Sequence, residues 1–140
     1  MIEVFVDGAA GGNPGIAGGG IYINLGDGRE IRRTVHLGVL SSNHEAEFAT
    51  MVAALKFCHE HGYLSAFFRT DSQLVDHAIE IRHVKNSIFA GYLEQAMDLI
   101  QHFDLFFCKW IPDEKNRNAD QLARQAIREQ RIQLSEGDQI

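Results

Sequence analysis

Asp7, Glu47, Asp71 and Asp120 are the side chains of this 140-residue sequence whose type and placement could do chemistry. Taken singly, each has an ordinary role: Asp7 in a turn, Glu47 on a solvated helix face, Asp71 as an N-cap, Asp120 as an acid favoured by the macrodipole at a helix start. The elements predicted around them change that reading. Two strand ends, the first turns of one helix and the start of another each bring a carboxylate toward one edge of a sheet, where open α/β sheets bind their ligands. Four converging carboxylates repel strongly unless a multivalent cation lies among them, and hard oxygen donors suit Mg²⁺ or Mn²⁺. The chemistry implied is metal-assisted phosphoryl transfer.

Other chemistries find less support. The glycines between Gly8 and Gly20 are not followed by Gly-Lys-Ser or Gly-Lys-Thr, and they feed a strand and not a helix, which argues against a phosphate loop. His59-Glu60-His61 is not the HExxH pattern of zinc hydrolases and reads as a charged helix end. The seven histidines have no common spacing. Trp110 and the nine phenylalanines fall mostly in apolar segments and are expected in the core, not as base-stacking platforms.

The positioning elements follow from periodicity and punctuation. Ile2 to Val6 reads as a strand that ends at Asp7, with Gly8 to Gly15 as a turn. Ile21 to Leu25 and the alternating stretch Glu30 to Leu37 flank Gly26-Asp27-Gly28 as a hairpin. Ser41, Ser42 or Asn43 caps a helix reaching His61, in which Phe48, Met51, Val52, Leu55 and Cys58 recur at helical spacing. Gly62 closes it. Ala66 to Thr70 is a short strand, and a second helix is capped by Asp71 or Ser72. A further helix spans Ser87 to about Phe103, Leu105 to Ile111 is strand-like, and Pro112 to Asn118 is a polar loop. The last helix starts near Ala119. The order predicts a mixed five-stranded sheet, three strands antiparallel and two parallel, with helices on both faces.

Composition bounds the rest. At 15.7 kDa, with 45% hydrophobic and 23% charged residues, the chain suits one globular domain. Residues 1–130 are expected to form it and the mostly polar 131–140 a loosely held tail. Neither a long apolar run nor a basic N-terminal region leading into one is present, so membrane insertion and secretion are not expected. Cys58 and Cys108 lack CxxC spacing and point to free thiols in a reducing, cytoplasmic setting. A net charge of -6 disfavours gripping nucleic acid by bulk charge, so such a partner needs a specific site or a metal.

Five segments in order, Val4-Phe5-Val6-Asp7-Gly8 with Asn13-Pro14-Gly15, Ser42-Asn43-His44-Glu45-Ala46-Glu47, Thr70-Asp71-Ser72-Gln73, Trp110-Ile111-Pro112, and Asn116 through Arg124, resemble type 1 ribonuclease H. The resemblance spans about Ile2 to Ala126 and implies the ribonuclease H-like fold. It implies that Asp7, Glu47, Asp71 and Asp120 ligate two Mg²⁺ ions about 4 Å apart, with Mn²⁺ as a substitute, astride the scissile phosphate of the RNA strand of an RNA/DNA hybrid. The products would carry a 5′-phosphate and a 3′-hydroxyl. Glu47 would also help sense the neighbouring 2′-OH. Asn13, Asn43 and Gln73 match positions that contact the hybrid near its shallow minor groove, and Ser42 one that helps hold a DNA-strand phosphate. Their local alternatives are a hairpin turn for Asn13, an N-cap for Ser42 or Asn43, and a surface helix position for Gln73.

The sequence departs from many relatives in two places. The loop Pro112 to Asn118 has no histidine for proton transfer or product release, and Glu114 or Lys115 could occupy similar space; slower turnover is the expectation. Only Arg82 to Asn86 stands where some relatives insert a basic helix, which predicts weak, salt-sensitive hybrid binding. A monomer is expected. Two alternatives stay open: a non-catalytic binding module of the same fold, and a nuclease acting on double-stranded RNA or DNA.

Overall fold

The computed structural model describes residues 1–137 as a five-stranded sheet flanked by helices. In chain order the elements are β1 (Ile2–Ala10), β2 (Gly15–Asn24), β3 (Glu30–Leu40), α1 (Asn43–Glu60), β4 (Ser65–Thr70), α2 (Gln73–Ile81), α3 (Ser87–Ile100), β5 (Leu105–Trp110), a 3-10 turn (Asp113–Lys115) and α4 (Arg117–Gly137). The sheet order is β3-β2-β1-β4-β5. β1, β2 and β3 are antiparallel, and β4 runs parallel to both β1 and β5. This is the mixed sheet that the sequence predicts.

Two layers of helix cover it. α1, α2 and α3 pack on one face around Val4, Val6, Phe48, Met51, Leu55 and Phe68. The predicted α1 positions Phe48, Met51, Val52, Leu55 and Cys58 are all buried there. α4 lies across β1, β2 and β3 on the other face, burying Ala119, Leu122, Ala123, Ala126 and Ile127. Cys58 and Cys108 are free thiols, and burial pushes Cys58 up to about 12. No helix among the described residues is long and apolar enough to cross a membrane.

The glycine-rich start is strand except at 11–14, the part of the expected Gly8 to Gly15 turn that is turn. β1 continues through Asp7 and Gly8 to Ala10, and β2 begins at Gly15 and includes Gly18, Gly19 and Gly20. The reason is close helix approach. A Cβ at Gly8 would collide with the α1 backbone at Ala46, one at Gly19 with Thr50 of α1, and ones at Gly18 and Gly20 with α4. Paired across the ladder and alternating in face, these glycines let both helix layers lie directly on the sheet.

Helix ends also move relative to the sequence reading. α4 starts at Arg117 and runs to Gly137, so the helix continues through 131–137 with exposed side chains; 138–140 of the expected tail lie outside the described residues. Part of the predicted Pro112 to Asn118 loop is the 3-10 turn. Phe107, on the α4 face, is 49% exposed because α4 covers β1 to β3 and leaves β5 open, whereas Trp110, on the opposite face at the end of β5 beside the start of α2, is 38% exposed.

Candidate active site

Asp7 sits one residue beyond the last β1–β4 pair, Val6 with Thr70. Asp71 directly follows Thr70, so the two acids leave neighbouring parallel strands side by side. The backbone at Asp71 is pinned: Trp110 Nε1 donates to the Asp71 carbonyl at 3.1 Å, and the Ile111 amide donates to the Thr70 carbonyl at 2.8 Å. Ser72 caps α2, its hydroxyl accepting from the Val75 amide at 3.1 Å, and its own amide donates to Thr70 Oγ1.

Glu47 reaches the same edge from the first turns of α1. Ser42 is the N-cap, accepting from the Glu45 amide at 3.2 Å, while the Glu45 carboxylate accepts from the Ser41 amide and hydroxyl at 2.7 Å each. The missing Cβ of Gly8 lets that turn lie against β1 at Ala46 and Glu47. His44 Nδ1 is 3.1 Å from Glu47 Oε1.

Asp120 enters from the opposite layer. The missing Cβ of Gly20, the ladder partner of Asp7, leaves room for the α4 backbone at Ala119 and Ala123, which sets Asp120 beside Asp7. Asn116, 1% exposed, ties the start of α4 to β1 by donating from Nδ2 to the Val6 carbonyl at 2.8 Å, and its carbonyl accepts from the Asp120 amide. Asp120 also pairs with Arg124 at 3.2 Å.

The electrostatics follow from this crowding. Burial first, then the charges of Asp71 and Asp120, push the Asp7 carboxyl up to about 9. Burial also raises Glu47 above the ordinary carboxylate range, against the opposing pull of the Ser72 hydroxyl and His44. Asp71 is raised by burial too, with Asn116 and Asp7 hydrogen bonds opposing and Asp113 and Asp120 adding to the rise. The nearby basic groups are too few to neutralise the set: Arg124 on Asp120 and His44 on Glu47.

Such a donor set fits hard divalent cations. All four side chains offer oxygen, burial and then the neighbouring acids raise the Asp7 and Asp71 carboxyls, and the buried Oδ1 of Asn116 has no hydrogen-bond partner. Among the described residues no group of three or more His, Cys, Asp or Glu side chains is arranged to hold one metal ion.

Beside Glu47 and Asp71 lies an open cleft of about 630 Å³, lined also by His44, Gln73, Trp110 and Asp113 among others; Asp7 and Asp120 are not in its lining. Gln73, the first residue of α2, is exposed in it. Asn13, Ser42 and Asn43 do not line the cleft. Asn43 Oδ1 accepts from the Ala10 amide at 2.7 Å, joining α1 to the end of β1, and Asn13 lies in the exposed turn between β1 and β2. Of the 3-10 turn it is Asp113 that lines the cleft, and not Glu114 or Lys115.

Sequence reasoning passed over three cleft or support residues. Trp110 was expected in the core and instead walls the cleft. His44 and Asn116 stood in the quoted segments without a role of their own. The signal for Asn116 was its place four residues before Asp120, where its carbonyl closes the first α4 hydrogen bond.

The reverse transcriptase-like family matches residues 5–126. The chain is 39% identical over 129 residues to a protein of Enterococcus faecalis named as hydrolase EbsB, covering 91% of this chain and 94% of that protein. It is 29% identical over 127 residues to ribonuclease HI of Halobacterium salinarum, spanning 90% of this chain and 64% of that protein's length. The crystal structure of RNase H1 from that archaeon superposes with a TM-score of 0.85, at 29% identity, over 91% of this chain and 98% of that one. LC11-RNase H1 in complex with an RNA/DNA hybrid gives a TM-score of 0.77, at 27% identity, over 92% and 98% of the respective chains.

Proposed function

Because this chain belongs to the reverse transcriptase-like family and has the ribonuclease H fold, we propose that it is a divalent-metal-dependent endonuclease that hydrolyses the RNA strand of RNA/DNA hybrids. The observation that carries this reading is the convergence of Asp7, Glu47, Asp71 and Asp120 from two strand ends and two helix layers. A relative of the same fold was solved with such a hybrid, which supports the substrate.

Asp7, Glu47, Asp71 and Asp120 would hold two Mg²⁺ ions, with Mn²⁺ as a substitute. Such ions would supply a lowered pKa for an attacking water and charge stabilisation for a departing 3′ oxygen, chemistry that would yield 5′-phosphate and 3′-hydroxyl ends. The chain's own contribution is positioning. Trp110 and Ile111 fix the Asp71 backbone, Asn116 fixes the start of the Asp120 helix on β1, and the Ser72 hydroxyl and His44 orient Glu47 for the 2′-OH. Gln73 meets the minor-groove side from the cleft, with Asn13 and Asn43 reading from its rim and Ser42 near a DNA-strand phosphate. Activity is assigned to residues 1–130, which hold all four acids, working as a monomer in the reducing cytoplasm, in keeping with two free thiols.

Labelled RNA/DNA hybrid, double-stranded RNA and duplex DNA are the test substrates, each with Mg²⁺, Mn²⁺ or chelator. The expected result is cleavage of the hybrid alone, abolished by chelator. Cleavage of duplex DNA or persistence in chelator rejects the reading, and hybrid binding without any cleavage makes the chain a binding module. A pH series adds a second expectation. Ions must displace the proton held by Asp7, so the Mg²⁺ concentration for half-maximal activity should fall as pH rises from 6 toward 9. A requirement that is flat across that range would separate Asp7 from ion binding.

A further inference from the structure

We propose that the exposed face of α4 is a track for the phosphodiester backbone of nucleic acid extending from the cleft, an inference that rests on the hybrid-nuclease reading. Arg117, Arg124, Arg128 and Arg131 fall within an arc of roughly 60° on the helix, at about 100° per residue. All four are exposed, and they lie opposite the buried stripe of Ala119, Leu122, Ala126 and Gln130. The line is about 21 Å long at about 1.5 Å per residue, roughly six base steps of about 3.4 Å each.

Placement ties the line to the site. Midway along it Arg124 pairs with Asp120, one of the four acids, which lies in the first turn of α4 beside Arg117. At the far end the guanidinium of Arg131 lies against Gly11 in the turn that carries Asn13. The track therefore runs from the catalytic edge to the loop expected to read the hybrid.

Charge and chemistry select the occupant. The chain as a whole is acidic at -6, yet four of its 13 basic residues stand on this one line. Arg29, Arg32 and Arg69 each pair with a carboxylate, whereas Arg117, Arg128 and Arg131 make no ion pair among the described residues. Of the three acids on α4, Asp120 belongs to the site, Glu129 is held by His36 and Gln125, and Glu136 lies beyond Arg131, past the end of the line. Guanidinium forks match phosphate oxygens in geometry, and they stay charged at every working pH. From Arg117 to Arg131 this face offers no apolar anchor of the kind that carries a protein interface, only arginines, Asp120 and Gln121.

The test is the double variant Arg128→Gln with Arg131→Gln, which touches neither the acids nor the cleft. Its Tm should match that of the unaltered protein. Binding to a fluorescent RNA/DNA hybrid is read by anisotropy in chelator from 50 to 200 mM salt, and steady-state cleavage is read in Mg²⁺. The expected result is at least about fivefold weaker binding at 50 mM salt, a log–log salt slope lower by about 2, and a raised KM with kcat unchanged. A control that removes two charges elsewhere, Arg29→Gln with Lys56→Gln, should leave KM and slope in place. An unaltered KM and slope in the α4 variant overturns the track while hybrid cleavage by the parent protein stands. Should the parent protein fail to cleave hybrid, the nuclease reading falls by itself. The track is then decided on single-stranded RNA and DNA probes: the same loss of slope upholds it, and no loss ends it.

Discussion

Replacing Asp7 or Asp71 with asparagine is expected to lower kcat on an RNA/DNA hybrid by at least about 10³-fold, equivalent to about 4 kcal/mol of transition-state stabilisation, while Asp7→Asn makes the metal-free protein more stable. Both effects have one cause. Each carboxylate offers an anionic oxygen to a divalent ion, and an amide offers only a neutral carbonyl, so the charge complementarity that holds the ion is lost. Without ions, that same charge is a burden on the fold. Asp7 is pushed from the ordinary 3.8 up to about 9 by burial, Asp71 and Asp120.

The sign of the pH dependence follows. A carboxyl whose folded pKa lies above its unfolded value imposes no cost below pH 3.8, where both states are protonated, and costs progressively more stability as pH rises to about 9. At pH 7 the difference is on the order of 4 kcal/mol by linkage, counted from an unfolded value of about 3.8. Asparagine does not ionise, so the Asp7→Asn protein should unfold at least roughly 3 °C higher in chelator, with the gain shrinking toward pH 4. Added Mg²⁺ should raise the Tm of the unaltered protein and hardly that of the variant. A Tm for Asp7→Asn below that of the parent in chelator at pH 7 would show that burial and repulsion of the Asp7 charge do not govern this site.

The second large effect is expected from Gly20→Ala. The new methyl group would meet the Ala119 carbonyl oxygen, and it would stand 2.8 Å from both the Ala123 amide nitrogen and the Leu122 Cβ. Backbone cannot rotate aside as a side chain can, so the first turn of α4 must lift from β2. Overpacking of this kind costs about 1–3 kcal/mol or more. Asp120 moves with that turn, and a displacement near 1 Å is enough to cost on the order of 10²-fold in rate. Gly91→Ala supplies the contrast. Nothing lies within 4 Å of a Cβ there, and the residue is inside α3, so alanine should raise stability by about 0.5–1 kcal/mol and leave kcat alone. If Gly20→Ala kept the parental Tm and kcat, the close approach of α4 would have no part in placing Asp120.

The amino-acid sequence by itself determined the element order, the α1 core positions and the Ser42 or Ser72 type of cap, and it singled out the four acids proposed as ligands. These are local matters, fixed by side-chain period, by short polar residues at helix starts, and by which residue types can hold a hard cation. Tertiary structure alone decided the length of β1 and β2. Glycine is a poor strand former when judged from its neighbours in sequence, but at Gly8 and Gly20 the absence of a Cβ is what lets helices from opposite layers reach the sheet. The same contacts carry Glu47 and Asp120 to Asp7. Trp110 shows the converse: its apolar setting along the chain suggests burial, yet it is the last residue of β5, at the sheet edge beside the start of α2, and the ring stands in the cleft. Asn116 is buried because its amide has a partner 110 residues away, the Val6 carbonyl, and no reading of either segment alone contains that hydrogen bond.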